Sequence, residues 1–219
     1  MTLEKLLPKA ARVNKFIPKS KFYEKTNVNK QIKDEFISKI QKITWKYKLA
    51  ESTIGINKTE NVTEIQIFDI ELKQQYIPKK ALKIIDSSIP YQILYRFSFK
   101  NYVSYGISLK KKKKPENYYF SEWNNEIDFD FDGADLEIVY QKIIKAFIRV
   151  PFKESDNFTK IVQKDKQAKL LQTEITSIEQ KITKEIQLNR KVDLNKTLKQ
   201  KKKELDMLLE QDPNNDISH

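Results

Sequence analysis

The alternation of apolar and polar residues is clearest between positions 62 and 99, where it predicts a strand, a helix and a second strand. The first strand is predicted over Val62–Lys73. Successive side chains of a strand point to opposite faces, so Phe68, Ile70 and Leu72 share a face that is expected to pack into a core. This unit is therefore the expected centre of the fold.

A helix is predicted from Pro78 to about Ser87, because proline suits the first turn of a helix. After it, two runs that are rich in aromatic and β-branched residues predict a hairpin over Tyr91–Phe99 and Tyr102–Leu109. A third strand is predicted over Tyr118–Trp123.

Upstream of this unit, Asn29 can cap a helix that runs to about Lys42, with apolar residues on one face at steps of three and four. These residues are Ile32, Phe36, Ile40 and Ile43. The alternating run 43–50 predicts a strand. Residues 1–26 interleave lysines with aromatic residues, which predicts a strap that packs its aromatic rings on the core, with a basic arm for nucleic acid as the alternative.

An acidic segment follows, with seven acidic residues and no basic residue from Glu122 to Glu137. Asp128, Asp130, Asp132 and Gly133 match the first half of an EF-hand calcium loop, but the second half lacks its ligands. We predict instead an edge strand with inward-pointing apolar residues and outward-pointing aspartates. The inward residues are Ile127, Phe129 and Phe131.

A helix is predicted from about Ala134 to Arg149, capped by Asp132 and stopped by Pro151. From Asp156 to Gln211 there is no glycine or proline, and apolar residues recur at coiled-coil spacing. They are Leu171, Ile175, Ile178, Ile182, Leu194, Leu198 and Leu205. The phase breaks around Gln187–Lys191, which favours an antiparallel helical hairpin over one long helix. An exposed helix pair with a narrow apolar seam is typical of docking, so these residues are predicted to bind a partner.

The pattern predicts an α/β (α+β) fold: a mixed sheet of about five strands flanked by helices, with a C-terminal antiparallel helical hairpin or coiled coil. The expected organisation is a core domain over 1–152, the hairpin over 153–211 and a disordered tail over 212–219.

The net charge of +12 changes this picture only modestly, because only four of the 42 basic residues are arginine. Lysine suits phosphate, whereas arginine reads base edges. The excess permits weak, salt-sensitive contact with a DNA phosphate backbone. Lys110, Lys111, Lys112, Lys113 and Lys114 lie between two predicted strands. They are predicted to form a solvated loop, with a phosphate-contacting tip as the functional alternative.

Composition excludes several kinds of chemistry. The chain has no cysteine, three glycines and one histidine, which is His219. Disulfides, thiolate zinc sites, a Ser–His–Asp triad and glycine-rich phosphate loops are therefore not expected, and no cofactor is predicted. The chain has no signal-peptide-like start and no long apolar run, so a cytoplasmic protein without membrane contact is expected.

One catalytic candidate lies at the end of the first strand. Asp69, Glu71 and Lys73 alternate onto one face, where two carboxylates can hold Mg²⁺ and a lysine can stabilise a phosphate. Glu71-x-Lys73 is similar to the second half of the PD-(D/E)xK nuclease motif. The preceding strand offers no first aspartate, so Asp69 would have to substitute, and Glu35 could contribute. The alternative is a surface salt bridge.

Several phrases together resemble a family known only as domain-of-unknown-function family 4391: FIPKSKFYEK (16–25), KITWKYKLAESTIGI (42–56), EIQIFDIEL (64–72), ALKIIDSSIPYQILYRF (81–97) and EIQLNRKVDLNKTLK (185–199). The resemblance spans nearly the whole chain and assigns no catalytic role. It implies a setting beside DNA methyltransferases and helicases, in restriction-like or phage-defence loci.

The first functional hypothesis is a non-enzymatic accessory subunit that docks to a helicase or DNA methyltransferase subunit, or to DNA phosphates. The alternatives are a Mg²⁺-dependent nuclease that uses Asp69, Glu71 and Lys73, and a non-specific nucleic-acid-binding protein.

Overall fold

The computed structural model describes residues 3–24, 28–111 and 114–210. The chain divides into two compact units, Met1–Phe147 and Ile148–His219. This division lies slightly earlier in the chain than the boundary predicted at 152. The predicted tail over 212–219 lies outside the described residues, as do 1–2, 25–27, 112–113 and 211. No described helix is long and apolar enough to cross a membrane.

The first unit contains six helices, six strands and a short 3-10 turn at Lys9–Ala11 within its described part. In chain order they are α1 (Leu3–Leu6), β1 (Arg12–Phe16), α2 (Ser20–Tyr23), α3 (Lys30–Lys39), β2 (Ile40–Leu49), α4 (Glu51–Ile54), β3 (Ile65–Leu72), α5 (Lys79–Ser88), β4 (Gln92–Phe99), β5 (Tyr102–Lys111), β6 (Lys114–Phe120) and α6 (Leu136–Lys145).

The strands form a single mixed sheet in the order β1-β2-β3-β4-β5-β6. β3 and β4 are parallel, joined by α5, and all other neighbours are antiparallel. The predicted mixed sheet with flanking helices is confirmed. The sheet has six strands instead of about five because Arg12–Phe16, in the predicted strap, pairs with the edge of β2.

The core cluster lies on the face of the sheet that carries Phe68, Ile70 and Leu72, as predicted, and α3 and α5 cover it. Its buried members are Phe22, Phe36, Ile40, Ile43, Phe68, Ile70, Leu72, Ala81, Leu82, Ile85, Ile93, Tyr95 and Phe97. Rings supply much of this volume, and Tyr95 stacks on Phe97 at 5.8 Å between ring centroids.

The N-terminal strap packs one of its rings into this cluster. Phe22 is buried and stacks on Phe36 at 6.0 Å, and Tyr23 contacts the same ring at 5.6 Å. Lys19 donates from Nζ to the backbone oxygen of Ile40. Partial burial lowers the pKa of Lys19, and the charge of Lys73 lowers it further. Phe16, in contrast, is mostly exposed.

The predicted helix over 29–42 ends three residues early. Asn29 caps α3 as expected, with its side chain accepting from the Ile32 N–H. However, Ile40 pairs with Leu72, and Ile43 pairs with Ile70, so both belong to β2. Their helical spacing was coincidental, because hydrogen bonding to β3 satisfies their backbone groups in the sheet instead.

The acidic segment contains no strand between 124 and 134, which corrects the predicted edge strand. Phe129 is still buried against Tyr105 and Phe147, while Asp130 pairs with Lys142 across 2.6 Å. Hydrogen bonding to Lys142, reinforced by the Asp132 N–H, lowers the pKa of Asp130. The segment packs through its rings without a neighbouring strand.

Three further boundaries differ from the prediction. Asp135, not Asp132, caps α6, because the Asp135 side chain accepts from the Ile138 N–H. The helix ends at Lys145 instead of Arg149. The strand predicted over 118–123 covers Lys114–Phe120, after which Ser121 Oγ accepts from the Tyr105 N–H and ends regular pairing.

The second unit contains two long helices, α7 (Phe158–Lys184) and α8 (Leu188–Leu209), which pack together. Asn157 caps α7 through the Thr159 N–H. The carboxylate of Glu185 accepts from the N–H groups of Ile186 and Gln187, which shapes the turn. The predicted antiparallel helical hairpin is confirmed, with its turn slightly before 187–191.

Candidate functional site

Two of the three predicted catalytic residues, Asp69 and Glu71, lie on the face of the sheet opposite the core cluster. Asp69 follows Phe68 along β3, and its neighbours across the sheet are Thr44 on β2 and Arg96 on β4. Alternation of side chains puts Asp69 and Glu71 on the same face, away from α3 and α5.

Asp69 forms an ion pair with Arg96. Arg96 donates from Nη1 to Asp69 Oδ1 across 3.0 Å, and the two side chains are 33% and 27% exposed. Screening by water limits a pair of this exposure to about 0–1 kcal/mol. The pair therefore orients the guanidinium group of Arg96 more than it stabilises the fold.

Glu71 lies further along β3 and Lys73 directly follows its last residue, and both are exposed. Glu71 is in register with Lys42 and Ser98, and the Lys73 N–H donates to the backbone oxygen of Lys39. Among the residues that the structure describes, no group of three or more His, Cys, Asp or Glu side chains is placed to hold a metal ion. The metal-dependent nuclease stays a prediction.

Glu35 lies on the other side of the sheet. Its Oε2 accepts from the Ala81 N–H across 3.0 Å, which satisfies a backbone donor in the first turn of α5. Because α3 and α5 cover the core-cluster face, Glu35 cannot join Asp69 in one site. It does not supply the second carboxylate that the nuclease hypothesis requires.

A cavity of about 700 Å³ opens around the Asp69–Arg96 pair, and we call it the sheet cavity. Residues of β2 to β5 form its floor, and α1 and the segment 124–127 border it. Its polar and aromatic lining comprises Lys5, Lys46, Tyr47, Asp69, Arg96, Tyr105, Asn124, Asn125 and Glu126. The sequence marked Asp69 as a site residue but not the residues that surround it.

The lysine run is not a wholly solvated loop. Lys110 and Lys111 end β5 and Lys114 begins β6, whereas Lys112 and Lys113 lie outside the described residues. The side chain of Lys110 is fully buried. This burial removes Lys110 from the predicted phosphate contact, which stays a prediction for the other four lysines.

Lys110 instead closes the C-terminal end of α5. Its Nζ lies 3.1 Å from Asp86 Oδ1 and donates to the backbone oxygens of Asp86, Ile89 and Tyr91 at 3.1, 2.9 and 2.5 Å. The last carbonyls of a helix have no partner within the helix, and a cation interacts favourably with that end. Lys110 is thus a structural residue of the turn into β4.

The carboxylate of Asp86 has partners on both oxygens. Ser108 Oγ donates to Oδ1 across 2.9 Å and the Tyr118 hydroxyl donates to Oδ2 across 2.5 Å. Burial raises the pKa of Tyr118, and Asp86 raises it further. Burial lowers the pKa of Lys110, while Asp86 opposes that shift. Asp86 lies four residues after Leu82, on the apolar face of α5. A carboxylate on an otherwise apolar helix face was the sequence signal that could have indicated this network.

The residues predicted to bind a partner form the seam of the hairpin. Salt bridges from Lys201 to Glu174 and from Lys202 to Glu179 link its two helices. The seven predicted residues are buried or half-buried, whereas most of their neighbours are exposed. The seam therefore closes the hairpin on itself, and an external partner has only its half-exposed edges to contact.

Three large apolar side chains are exposed at the turn of the hairpin and in the first turns of α8. Ile186, Leu188 and Val192 are 95%, 75% and 59% exposed. We call these three residues the hairpin tip. The repeat of apolar positions does not mark these three residues, because they fall around the phase break and outside the predicted seam.

These features define an α+β protein with a mixed six-stranded sheet and a separate helical hairpin. The chain belongs to the family described as a domain of unknown function (DUF4391), which matches residues 6–205. The family predicted from the sequence phrases is thereby confirmed, and it includes both units. No curated protein matches the chain. No solved structure matches it either.

Proposed function

We propose that this protein is a non-enzymatic accessory subunit of a restriction-modification-like or phage-defence system that acts on DNA. The hairpin tip docks it onto a partner, and a helicase or DNA methyltransferase subunit is the class that the family resemblance implies. The observation that carries this proposal is the exposure of Ile186, Leu188 and Val192 at the turn and the start of α8.

Clustered exposure of this kind has a physical cost in the free protein. Single exposed apolar residues are common on protein surfaces. Three that lie within the turn and the first turns of α8 offer apolar area, and burying it yields about 25 cal/mol per Å². The seam residues cannot offer this apolar area to a partner, since they are buried or half-buried within the hairpin.

The charge around the hairpin tip further restricts the kind of surface that a partner can have. Six exposed cations flank it, whereas the same stretch holds two acidic residues, Glu185 and Asp193. The cations are Lys181, Lys184, Arg190, Lys191, Lys196 and Lys199. Complementary potentials favour encounter and specificity. The expected partner surface is an apolar pocket with an acidic rim.

The docking proposal predicts that polar substitution of the tip weakens binding without unfolding the hairpin. The triple variant Ile186→Ser, Leu188→Ser, Val192→Ser is expected to raise the Kd for a helicase or DNA methyltransferase subunit that binds the wild-type protein by more than about tenfold. Co-purification after co-expression, followed by titration calorimetry, measures the change.

Leu170 and Met207 provide the matched control, because they are 57% and 61% exposed on the same hairpin but away from its turn. The double variant Leu170→Ser, Met207→Ser is expected to bind as the wild type does. Unchanged binding by the tip variant, or equal losses in both variants, would contradict docking through the tip.

Non-specific nucleic-acid binding is the second candidate, and the six cations around the tip favour it. Lysine contacts with phosphate release counterions, so affinity should fall steeply between about 50 and 200 mM salt. Changing Lys181, Lys184 and Lys196 to glutamine is expected to make the affinity for a DNA duplex depend less steeply on salt concentration. Fluorescence anisotropy at several salt concentrations measures this slope. Salt-insensitive affinity, or an unchanged slope, would count against this candidate.

A further inference from the structure

The sheet cavity combines cations, hydrogen-bonding groups and apolar walls in one concave surface. Lys5, Lys46 and Arg96 contribute three positive charges, against the negative charges of Asp69 and Glu126. Small-molecule sites in proteins are concave, measure about 300–1,000 Å³ and hold a few placed polar groups. At about 700 Å³ the cavity falls within that range.

Arg96 is positioned to hold an anion at the floor of the cavity. A guanidinium group carries five N–H donors in a planar fork, and such a fork binds phosphate in bidentate fashion. The contact with Asp69 engages only Nη1. Asp69 therefore holds one end of the guanidinium group and leaves further donors for a ligand.

The neighbouring surface suits a flat ring. Tyr105 lines the cavity, and its ring is held edge-on by Phe129 at 5.1 Å between centroids. Ile67 and Val103 provide apolar area beside it. An aromatic side chain held by a second ring is a rigid stacking surface, and base–aromatic stacking contributes about 1–3 kcal/mol.

Tyr47 adds an unsatisfied hydrogen-bonding group to the same wall. Its hydroxyl is buried and has no hydrogen-bond partner in the described part of the chain. Buried polar atoms without partners are rare in native proteins, and each one requires a physical reason. A ligand in the sheet cavity, which Tyr47 lines, would supply such a partner.

We propose that the sheet cavity binds a nucleoside phosphate, with the phosphate on Arg96 and Lys46 and the base against Tyr105. The volume exceeds what an inorganic anion fills, and the excess of positive charge selects against an uncharged nucleoside. A free nucleotide and the terminal nucleotide of a single strand present the same chemistry. This proposal is independent of docking through the hairpin tip, so either can fail alone.

The test is titration calorimetry of the full chain with the four nucleoside monophosphates, the matching nucleosides, inorganic phosphate and a 5′-phosphorylated single-stranded octanucleotide. At least one phosphorylated probe is expected to bind with a Kd below about 100 μM. The matching nucleoside and inorganic phosphate are each expected to bind at least tenfold more weakly. The ratio of mononucleotide to octanucleotide affinity shows whether the ligand is a free nucleotide or the terminal nucleotide of a single strand.

Point variants tie the binding to the cavity. Arg96→Lys keeps the charge but removes the fork, and Lys46→Gln removes a charge, so each is expected to raise the Kd at least about fivefold. Tyr47→Phe should weaken binding without lowering thermal stability, because the hydroxyl has no protein partner to lose. Lys83→Gln, an equal charge change on the exposed side of α5, is expected to leave the Kd unchanged.

Three results would overturn the proposal. One is the absence of binding by every phosphorylated probe below about 1 mM. Another is inorganic phosphate binding as tightly as the nucleotide, since the base would then contribute nothing. The third is an equal loss in Lys46→Gln and Lys83→Gln, which would show unspecific charge attraction outside the sheet cavity.

Discussion

Replacing Lys110 with methionine is expected to lower the free energy of unfolding of the first unit by roughly 3–5 kcal/mol, the usual cost of removing one partner of a buried ion pair. The side chains of Lys110 and Asp86 are both fully buried and lie 3.1 Å apart. Without the ammonium group, the carboxylate of Asp86 keeps Ser108 and Tyr118 but loses its counter-charge. The backbone oxygens of Ile89 and Tyr91 lose a donor as well.

Denaturation followed by tryptophan fluorescence measures this change in the right unit, because Trp45 and Trp123 both lie in it. Lys83→Met on the exposed side of α5 is the control and is expected to change stability by no more than about 0.5 kcal/mol. A loss below about 1 kcal/mol for Lys110→Met would show that the pair is not part of the cooperative core.

A second substitution separates the charge effect from lost packing. Asp86→Asn removes the buried charge yet keeps an oxygen that accepts from Tyr118. The double variant Lys110→Met, Asp86→Asn is therefore expected to be more stable than Lys110→Met alone, since residues in contact are not additive. Equal or lower stability of the double variant would mean that shape, and not the unpaired charge, causes the loss.

Replacing Phe36 with alanine is expected to destabilise the first unit by about 3–5 kcal/mol, which is typical of deleting a buried phenylalanine ring. Of the ten residues of α3, all described, only Phe36 is buried. Its ring contacts Phe22 and Tyr23 of the N-terminal strap. One side chain therefore holds both the helix and the strap on the sheet.

The same denaturation assay measures the loss, and hydrogen exchange should show faster exchange along α3 than in β3. The neighbouring Ile37 is substantially exposed, so Ile37→Ala serves as the control, with a change of at most about 0.5 kcal/mol. Similar losses for Phe36→Ala and Ile37→Ala would mean that α3 is not anchored through Phe36.

Periodicity predicted most elements because it reports which side of an element is buried. The faces of β3 and α5 followed from residues such as Phe68 and Leu82, and the hairpin followed from its seam and phase break. Boundaries were less predictable. Ile40 and Ile43 satisfied a helical spacing, but pairing with Leu72 and Ile70 placed them in β2.

The candidate sites were predicted less well than the fold, because each depends on groups that are distant in sequence. Asp69 was identified from strand alternation, but its partner Arg96 lies on β4, and the rim of the sheet cavity comes from α1 and residues 124–127. Periodicity did not indicate the hairpin tip, because exposed apolar residues around a turn do not recur at a regular spacing.

The sequence by itself determined the α+β class, the family, the strand–helix–strand centre and the helical hairpin, since these follow from local patterns of side-chain burial. Only the tertiary structure decided that Lys110 is buried beside Asp86, that Asp69 pairs with Arg96, and that a cavity opens around that pair. The physical reason is that the burial and the ion pairing of a charged side chain depend on the groups that surround it in space. Five consecutive lysines look alike along the chain until the end of α5 gives one of them a buried carboxylate and three carbonyl oxygens.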